Sequence, residues 1–495
     1  MDAIDDLYAS PIGKLAAVLT QAEETATFTL YDTFDQSLRR ARRVLIEFDD
    51  RLELWEPDGT TLSQQAEHCE QFVADMTDGP VKHALSDLPA LRRLMAICTG
   101  QMRLSDLALM DDEEKTQARA SLCLLYADDG ASTAVATLQG LRGYDKALAQ
   151  LADRTRACGG TPLEKGDLHA QLLPDQAPYV AKPDIGVGKT EKTFDAATDI
   201  IAAYIPVARQ NEPGIVSDID TEFLHDYRIA LRKIRSVLSL FKGVYAEDQT
   251  QQLKARFSAL MAPTGRLRDL DVYLLEKGDF YALVPDSLHG GLDRMFAMFA
   301  AERQEAQKSL SSHLRSKSYE AEIGKLARLF DSRKRLKRGP NADLPAYDFA
   351  CKLIWKRYRK ICKIAAGINA ETEDEEVHQL RIHCKKLRYL MEFFGPVFPK
   401  SEFKSLIKPL KRLQDNLGLF NDYSVQQDSL REFLNGLETQ NRAEGLEIAQ
   451  SVGALIAVLH QRQLTERAKV VESFARFNSR ETQKTFRNLF HGGKE

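Results

Sequence analysis

The residues best suited to chemistry in this 495-residue chain are basic side chains that recur at helical spacing. The segment HDYRIALRKIR runs from His225 to Arg235, and HQLRIHCKKLR runs from His378 to Arg388. At about 100° per residue, the His and Arg side chains of each segment fall on one narrow stripe beside an apolar seam. Arginine offers paired donors for phosphate oxygens and lysine offers a flexible point charge. The pattern therefore predicts two helix faces that can bind phosphate.

The two segments belong to an internal repeat with a fixed offset of 153 residues. His225 matches His378, Arg228 matches Arg381 and, with no gap, Asp269 falls on Asp422. One offset that holds over about 48 positions is the signature of a duplicated structural unit. The repeat predicts two halves built from the same helices.

Cations at i, i+3, i+4 and i+7 of a helix repel one another, so a basic stripe is stable only where anions meet it. One anion is internal, because Glu392 lies four residues after Arg388 on the second stripe. If internal salt bridges suffice, the stripes are simply two solvated helix faces. Otherwise the partner is external, and two stripes of about 15 Å suit a linear polyanion better than a single small phosphate.

A second repeated element follows each basic helix, as GRLRDLDV over Gly265–Val272 and GLFNDYSV over Gly418–Val425. We expect its glycine to break or cap the preceding helix. Asp269 and Asp422 could cap the next helix or orient basic side chains. A metal site at Asp269 and Asp271 is a weak hypothesis, because the second copy lacks the second carboxylate. No metal and no cofactor is predicted.

The first part of the chain, residues 1–156, has a mixed α+β pattern. Its β-prone runs are bounded by turn residues, and an apolar run with helical spacing lies between them. The predicted strands are Thr25–Tyr31, Arg51–Glu56 and Ser121–Tyr126, and the predicted helix is Leu88–Ile97. Residues 157–190 are rich in Gly, Pro and polar residues and are predicted to form a linker.

Residues 191–495 have the periodicity of an all-α domain with few strand signals. The basic loop Lys334–Gly339 divides this domain into halves of about 191–335 and 341–495. The fold class is therefore multidomain, with an α+β domain followed by an all-α domain of two related helical bundles.

The net charge of −4 hides two parts of opposite sign. Residues 1–190 hold 19 Lys and Arg against 31 Asp and Glu, a charge of −12, whereas residues 191–495 hold 49 against 41, a charge of +8. A near-neutral average does not exclude a polyanion partner, because the basic side chains are concentrated on two helix faces.

Several other classes of protein do not fit the sequence. No run approaches the ~18 apolar residues of a membrane span. The first residues are acidic where a secretion signal is basic, so we expect a cytoplasmic protein with no membrane partner. The seven cysteines form no CxxC pair, so we expect free thiols. GlyValGlyLysThr at 186–190 resembles the end of a P-loop but has Pro183 where that motif needs glycine, so nucleotide binding is not predicted.

The paired H-x-x-R-x-x-x-[RK]-K-x-R helices with their R-D-x-D-V and N-D sequels resemble the CHAD domain, the conserved-histidine α-helical domain. The resemblance covers residues 195–490. It implies two antiparallel helical bundles related by a pseudo-twofold axis, with a basic groove that binds inorganic polyphosphate without cleaving it. The resemblance also implies that the protein could be associated with polyphosphate granules. The binding residues that the resemblance implies are His225, Arg228, Arg232, Lys233, Arg235, Arg268, His378, Arg381, Lys385, Lys386 and Arg388, with Lys408 and Lys411 as further additions. Asn421 stands where the first copy has Arg268, so the groove is expected to be asymmetric there.

A weaker resemblance concerns residues 27–59, whose Y-D-T-x-x-x-x-L segment is similar to CYTH domains, the triphosphate-tunnel fold. That family implies a β-barrel tunnel with an E-x-E-x-K strand that holds a divalent metal. The chain lacks this motif near its start, so we expect a degenerate tunnel domain and no enzyme activity. A metal-dependent triphosphatase or polyphosphatase and an unrelated α+β domain remain alternatives. Nucleic acid is a further candidate ligand, but no basic patch interleaved with aromatic residues supports it.

Overall fold

The computed structural model of the chain describes residues 10–20, 24–163, 165–177, 179–369, 371–437 and 442–491. These residues form two compact units, which divide the chain at residues 180 and 181. The N-terminal unit is built around one antiparallel sheet, and the C-terminal unit is helical. This observed order is the α+β and then all-α class that the sequence predicts.

Eight antiparallel strands make up the sheet of the N-terminal unit. Their order is β5-β4-β3-β2-β6-β7-β8, and β1 pairs with the far end of β6. The strands are β1 Ala16–Leu19, β2 Glu24–Thr33, β3 Val44–Phe48, β4 Arg51–Trp55, β5 Thr61–Gln65, β6 Leu94–Met110, β7 Thr116–Ala127 and β8 Ser132–Gly140. The described residues of this unit also form four short helices, which are α1 Ser37–Ala41, α2 Pro80–Ala84, α3 Asp145–Ala157 and α4 Leu168–Leu172.

The predicted strands are confirmed as parts of β2, β4 and β7, but the helix predicted over Leu88–Ile97 is wrong. Residues 85–87 form a single 3₁₀ turn, and from Leu94 onward the chain extends as β6 along β2. A short apolar run fits either period, and here pairing with a neighbouring strand decides the conformation.

The closed tunnel that the CYTH resemblance implies is not confirmed. The end strands of the sheet, β5 and β8, do not pair with each other in the described residues, so the sheet is an open half-barrel. Among the residues that the structure describes, no group of three or more His, Cys, Asp or Glu side chains is arranged to hold a metal ion.

The segment that we interpreted as a linker, residues 157–190, contains helix α4. Leu168 and Leu172 of this helix are buried in the core of the sheet, so the segment up to residue 180 belongs to the N-terminal unit. Residues 186–190 are irregular, and the N–H of Gly188 donates to the Glu191 carboxylate at 2.8 Å.

Thirteen α-helices span the described residues of the C-terminal unit. They are α5 Thr193–Val216, α6 Thr221–Leu240, α7 Glu247–Met261, α8 Gly265–Leu275, α9 Lys277–Tyr281, α10 His289–Leu314, α11 Lys317–Ser332, α12 Ala346–Ala365, α13 Asp374–Phe394, α14 Lys400–Asn435, α15 Arg442–Ala468, α16 Val470–Phe477 and α17 Arg480–Phe490. None of the helices in the described part of the chain is long and apolar enough to cross a membrane. All seven cysteines are free thiols.

The 153-residue repeat corresponds to a pseudo-twofold arrangement of these helices. The Tyr273 hydroxyl donates to the carbonyl of Gln426 at 3.3 Å, and Arg294 donates to Glu447 at 2.9 Å. Both contacts join residues that are 153 positions apart. A residue that touches its own equivalent lies on the twofold axis, so α8 and α14, and α10 and α15, meet at the pseudo-axis.

The expected break at the repeated glycine occurs in only one half. Gly265 begins α8 after a 3₁₀ turn that contains Pro263, whereas Gly418 lies inside the continuous 36-residue helix α14. Asn416 stands at the position of Pro263 and keeps its N–H available for the helical ladder. The prediction of a break at Gly418 is therefore wrong, and Asp269 and Asp422 lie within helices rather than at caps.

Candidate functional site

Helices α6 and α13 carry the two basic stripes. The Asp220 side chain caps α6 by accepting the N–H of Glu222 at 2.9 Å and of Phe223 at 3.3 Å. Three acidic residues, 374–376, fill the first turn of α13 and complement its dipole. Both helices bury an apolar seam, which includes Leu231 and Ile234 in α6 and Leu380 and Leu387 in α13. The predicted basic residues of both helices are half-buried beside that seam.

An ion pair joins the two helices across the halves. Lys233 of α6 donates to Glu392 of α13, and its side chain is only 12% exposed. The ammonium also lies 4.8 Å from the ring centroid of Tyr389 and 5.3 Å from that of Phe393. Burial lowers the pKa of Lys233, and the Glu392 carboxylate opposes that shift. The stripes of the two halves therefore meet in one place.

The cations nearest to this contact destabilise one another. Burial, followed by the charges of Arg232 and Arg381, lowers the pKa of Lys385 to about 8. Burial and then the charge of Arg232 lower the pKa of Arg228. Arg232 thus belongs to α6 but acts on Lys385 of α13, so cations of the two stripes lie close to one another. We use the word groove for this cluster of seven cations, which are Arg228, Arg232, Arg235, Arg268, Arg381, Lys385 and Arg388.

Two buried donors in the groove have no acceptor in the described part of the protein. They are Nε of Arg232 and Nη1 of Arg268. Buried polar groups are almost always hydrogen-bonded, and an unpaired charged donor is costly. Arg228 differs, because its Nη1 donates to the Thr264 hydroxyl at 2.6 Å. The groove therefore holds charged donors that an anionic oxygen would satisfy.

Internal anions neutralise only part of the groove. Glu392 accepts from Lys233 and, at 2.7 Å, from Arg388. Burial alone would raise the pKa of Glu392, but the Lys233 ammonium and the Arg388 guanidinium hold it below its ordinary value. Arg381 lies 3.7 Å from Asp422. Apart from Arg381 and Arg388, no groove cation has a described carboxylate within salt-bridge distance. Internal salt bridges therefore neutralise only part of the positive charge of the two stripes.

The two stripes make equivalent contacts at several positions. Arg235 donates to the sulfur of Met261 at 3.0 Å, and its counterpart Arg388 approaches the amide oxygen of Gln414 at 3.4 Å. The carboxylate of Asp269 acts on the Arg228 charge as Asp422 acts on Arg381. The Asp of the second repeated element therefore lies near an arginine of the basic stripe in both halves.

The histidine of the second half contacts the residue that replaces Arg268. Nδ1 of His378 contacts the side-chain oxygen of Asn421 at 2.7 Å, so Nδ1 carries the proton that is donated. Asn421 replaces the Arg268 of the first half and is buried. His225 is half-buried on the first stripe. The predicted asymmetry at this position is therefore present.

Three further predicted basic residues are not among the seven cations that define the groove. The cations that lower the pKa of Lys386, after burial, are Arg357 and Lys242 rather than groove residues. Lys408 and Lys411 are exposed on α14, and no contact in the described part of the chain joins them to the groove. Sequence reasoning missed Thr264 and Tyr389, although Tyr389 directly follows Arg388 in the second stripe.

Comparisons with known proteins support the helical assignment. The family model described as the CHAD domain matches residues 199–431. The crystal structure of the CHAD domain from the plant Ricinus communis superposes with a TM-score of 0.50 at 22% identity, covering 60% of this chain and 96% of that one. PptA from Streptomyces chartreusis has a TM-score of 0.44 at 14% identity, over 57% of this chain and 99% of its own.

The comparison with curated proteins gave no match, and the resemblance of the N-terminal part to CYTH domains is not confirmed. The family model covers both basic helices and the second repeated element of each half. Residues 199–431 are therefore identified as a CHAD domain.

Proposed function

We propose that the CHAD domain binds inorganic polyphosphate in the basic groove between α6 and α13. The observation that carries the proposal is the pair of buried, unpaired donors on Arg232 and Arg268 within a cluster of cations from both halves. A bound anion would satisfy these donors and would also relieve the repulsion that lowers the pKa of Lys385.

The length of the two basic stripes favours a chain over a single phosphate. Arg228 and Arg235 span seven residues of α6, which is about 10 Å along the helix axis, and Arg381 and Arg388 span the same length of α13. A linear polyanion presents charge at every repeat along such a length. One small phosphate could reach only one or two of these side chains.

The proposed role is binding without catalysis. Metal-assisted phosphoryl transfer needs carboxylates that hold a divalent cation. The carboxylates beside the groove instead contact its basic side chains, as Glu392 contacts Arg388 and Asp422 approaches Arg381. The alternative activity, a metal-dependent triphosphatase in the N-terminal unit, is tested by phosphate release from tripolyphosphate with Mg²⁺ or Mn²⁺. Release above that of the protein-free control would overturn the non-catalytic proposal.

The binding proposal is tested with the double substitution Arg228→Glu and Arg381→Glu. Binding of long-chain polyphosphate is measured by titration at several salt concentrations. By analogy with nucleic acids, affinity of the unmodified chain should fall steeply with salt, and the variant should lose about ten- to a hundredfold at about 0.1 M salt. The matched control, Arg315→Glu with Arg328→Glu, reverses two exposed charges, one directly after α10 and one on α11. Salt-independent binding, or equal losses in the two variants, would reject the groove.

Arg228 also donates to Thr264, so charge reversal there tests folding as well as binding. The milder pair Arg228→Gln and Arg381→Gln, with thermal melting of each variant, separates the two effects. We also propose that single-stranded RNA competes poorly with polyphosphate, because the groove residues provide charge rather than base-stacking surfaces. Co-localisation of the full chain with polyphosphate granules in cytoplasm would support the proposed location.

A further inference from the structure

Helix α12 carries a second basic stripe that lies outside the groove. After Asp348, every exposed residue of this helix is basic, and these residues are Lys352, Lys356, Arg359, Lys360 and Lys363. At 3.6 residues per turn, all five fall within an arc of about 100°. The stripe extends over about 16 Å of helix.

No internal anion compensates this stripe in the described part of the chain. The salt bridges formed by described carboxylates reach none of its five cations. Lys356 and Lys360 are spaced i, i+4, and so are Arg359 and Lys363, which places like charges side by side. A helix that is merely solvated usually alternates the sign of its charges along the exposed face. A helix face on which every charge is positive is instead suited to an anionic partner.

The stripe is absent from the equivalent helix of the first half. With the 153-residue offset, α12 corresponds to α5, whose charged residues are Asp195, Asp199, Arg209 and Glu212. Tyr204 stands in α5 at the position of Arg357, and Val207 at the position of Lys360. Because the two helices share their place in the fold, the fold does not require this basic face.

Arg357 of α12, Lys386 of α13 and Lys242, which follows α6, extend the stripe on one side. Arg357 Nη1 donates to Nδ1 of His383 at 2.7 Å, so the imidazole accepts through that nitrogen. Burial and the charges of Arg357, Lys386 and Lys360 lower the pKa of His383 to about 4. The charge of Lys242 in turn contributes to lowering the pKa of Lys386. The position of Lys386 outside the groove is thus explained by its membership of this second surface.

The chemistry of the surface indicates a polyphosphate chain rather than a nucleic acid. Four of its five exposed cations are lysines, which act as point charges, and no exposed aromatic residue lies on α12. The half-buried Trp355 stacks within the protein on His491, with ring centroids 4.8 Å apart. Single-stranded nucleic acids usually bind where aromatic rings are available to stack with bases.

We propose that the exposed stripe of α12 is a second binding site for linear polyphosphate, separate from the groove. The proposal rests on the proposed function only for the identity of the ligand. The site adds Lys352, Lys356, Arg359 and Lys363 to the proposed polyphosphate-binding residues. A chain that occupies both surfaces would be held more tightly than one short enough to occupy only one.

The test uses the full chain with Lys356→Glu and Arg359→Glu, alone and combined with Arg228→Glu and Arg381→Glu. The control is Lys325→Glu with Arg328→Glu, an exposed Lys and Arg pair at the same i, i+3 spacing on α11. Long-chain polyphosphate, tripolyphosphate and single-stranded RNA are titrated separately. In the groove-variant background, the stripe variant should lose a further tenfold or so in long-chain affinity at about 0.1 M salt, with a salt slope shallower by about two. The control should change little.

Failure of the two proposals can be told apart in the same experiment. If the groove variant binds normally and the stripe variant does not, the groove proposal fails and the stripe proposal stands. The stripe proposal is overturned if its variant loses no more long-chain affinity than the α11 control. It is also overturned if the stripe variant loses RNA binding while polyphosphate binding is kept.

Discussion

Glu392 offers the sharpest test of the groove, because it is the internal anion that competes with an external one. Its carboxylate accepts from Lys233 of the other half and from Arg388 of its own helix. The substitution Glu392→Gln keeps the shape and one acceptor but removes the charge. We expect the variant to be less stable without ligand and to bind polyphosphate more tightly.

The size of the stability loss follows from burial. The Lys233 side chain is 12% exposed and that of Glu392 is 31% exposed, so the pair lies between a surface and a buried salt bridge. Exposed pairs contribute about 0–1 kcal/mol, whereas breaking a fully buried pair costs about 3–5 kcal/mol. The rings of Tyr389 and Phe393 continue to stabilise the ammonium by about 0.5–1 kcal/mol. We therefore expect a loss of about 1–2 kcal/mol, or a melting temperature lower by roughly 2–4 °C.

The gain in affinity follows from the same charge. If the bound phosphate lies about 7 Å from this carboxylate, removing the negative charge relieves roughly 1 kcal/mol of repulsion at an effective dielectric constant between those of the protein surface and bulk water. This corresponds to about fivefold tighter binding in low salt. The gain should shrink as salt screens the interaction.

The assay is thermal melting with and without long-chain polyphosphate, together with titration at low and high salt. Glu305→Gln is the control, because that residue forms an exposed pair with Lys308 at 2.8 Å on α10. The control should change neither property. If Glu392→Gln weakens polyphosphate binding while the melting temperature is unchanged, Glu392 positions the cations for the ligand and does not compete with it.

Two other predictions concern Lys385 and Gly418. The pKa of Lys385 is about 8 in the folded chain, whereas its ordinary value is 10.5, so the unfolded chain binds more protons between these two pH values. The free energy of unfolding of the unmodified chain should therefore rise, relative to that of Lys385→Met, as the pH increases from about 8 to 10.5. A bound polyanion favours the charged ammonium of Lys385, so the protein should take up protons when polyphosphate binds near pH 8. Calorimetry in two buffers of different ionisation enthalpy measures this uptake. Absence of proton uptake would contradict the placement of Lys385 beside the ligand. Gly418 lies inside α14 and an added Cβ meets nothing within 4 Å, so Gly418→Ala should raise the free energy of unfolding by about 0.5–1 kcal/mol without weakening polyphosphate binding. A destabilised variant would show that the glycine is needed for a break or a close approach.

The N-terminal unit illustrates the limit of local sequence patterns. The runs that became β2, β4 and β7 alternate strongly enough to identify strands from sequence. The run at Leu88–Ile97 does not, because its few apolar residues fit a helix and a strand alike. Pairing of Leu94 and its neighbours with β2 decided the outcome, and that pairing depends on residues more than 60 positions earlier in the chain.

The sequence by itself determined the duplication, the all-α class of the second unit and the composition of each basic stripe. These features are local, because the 3.6-residue period assigns each side chain to a face of its own helix. The tertiary structure decided which stripes meet, since the ion pair between Lys233 and Glu392 joins residues 159 positions apart. It also separated Lys386 from the groove and left the face of α12 exposed. Packing of helices from distant parts of the chain determines which charges are buried, paired or free to bind, and no local pattern contains that information.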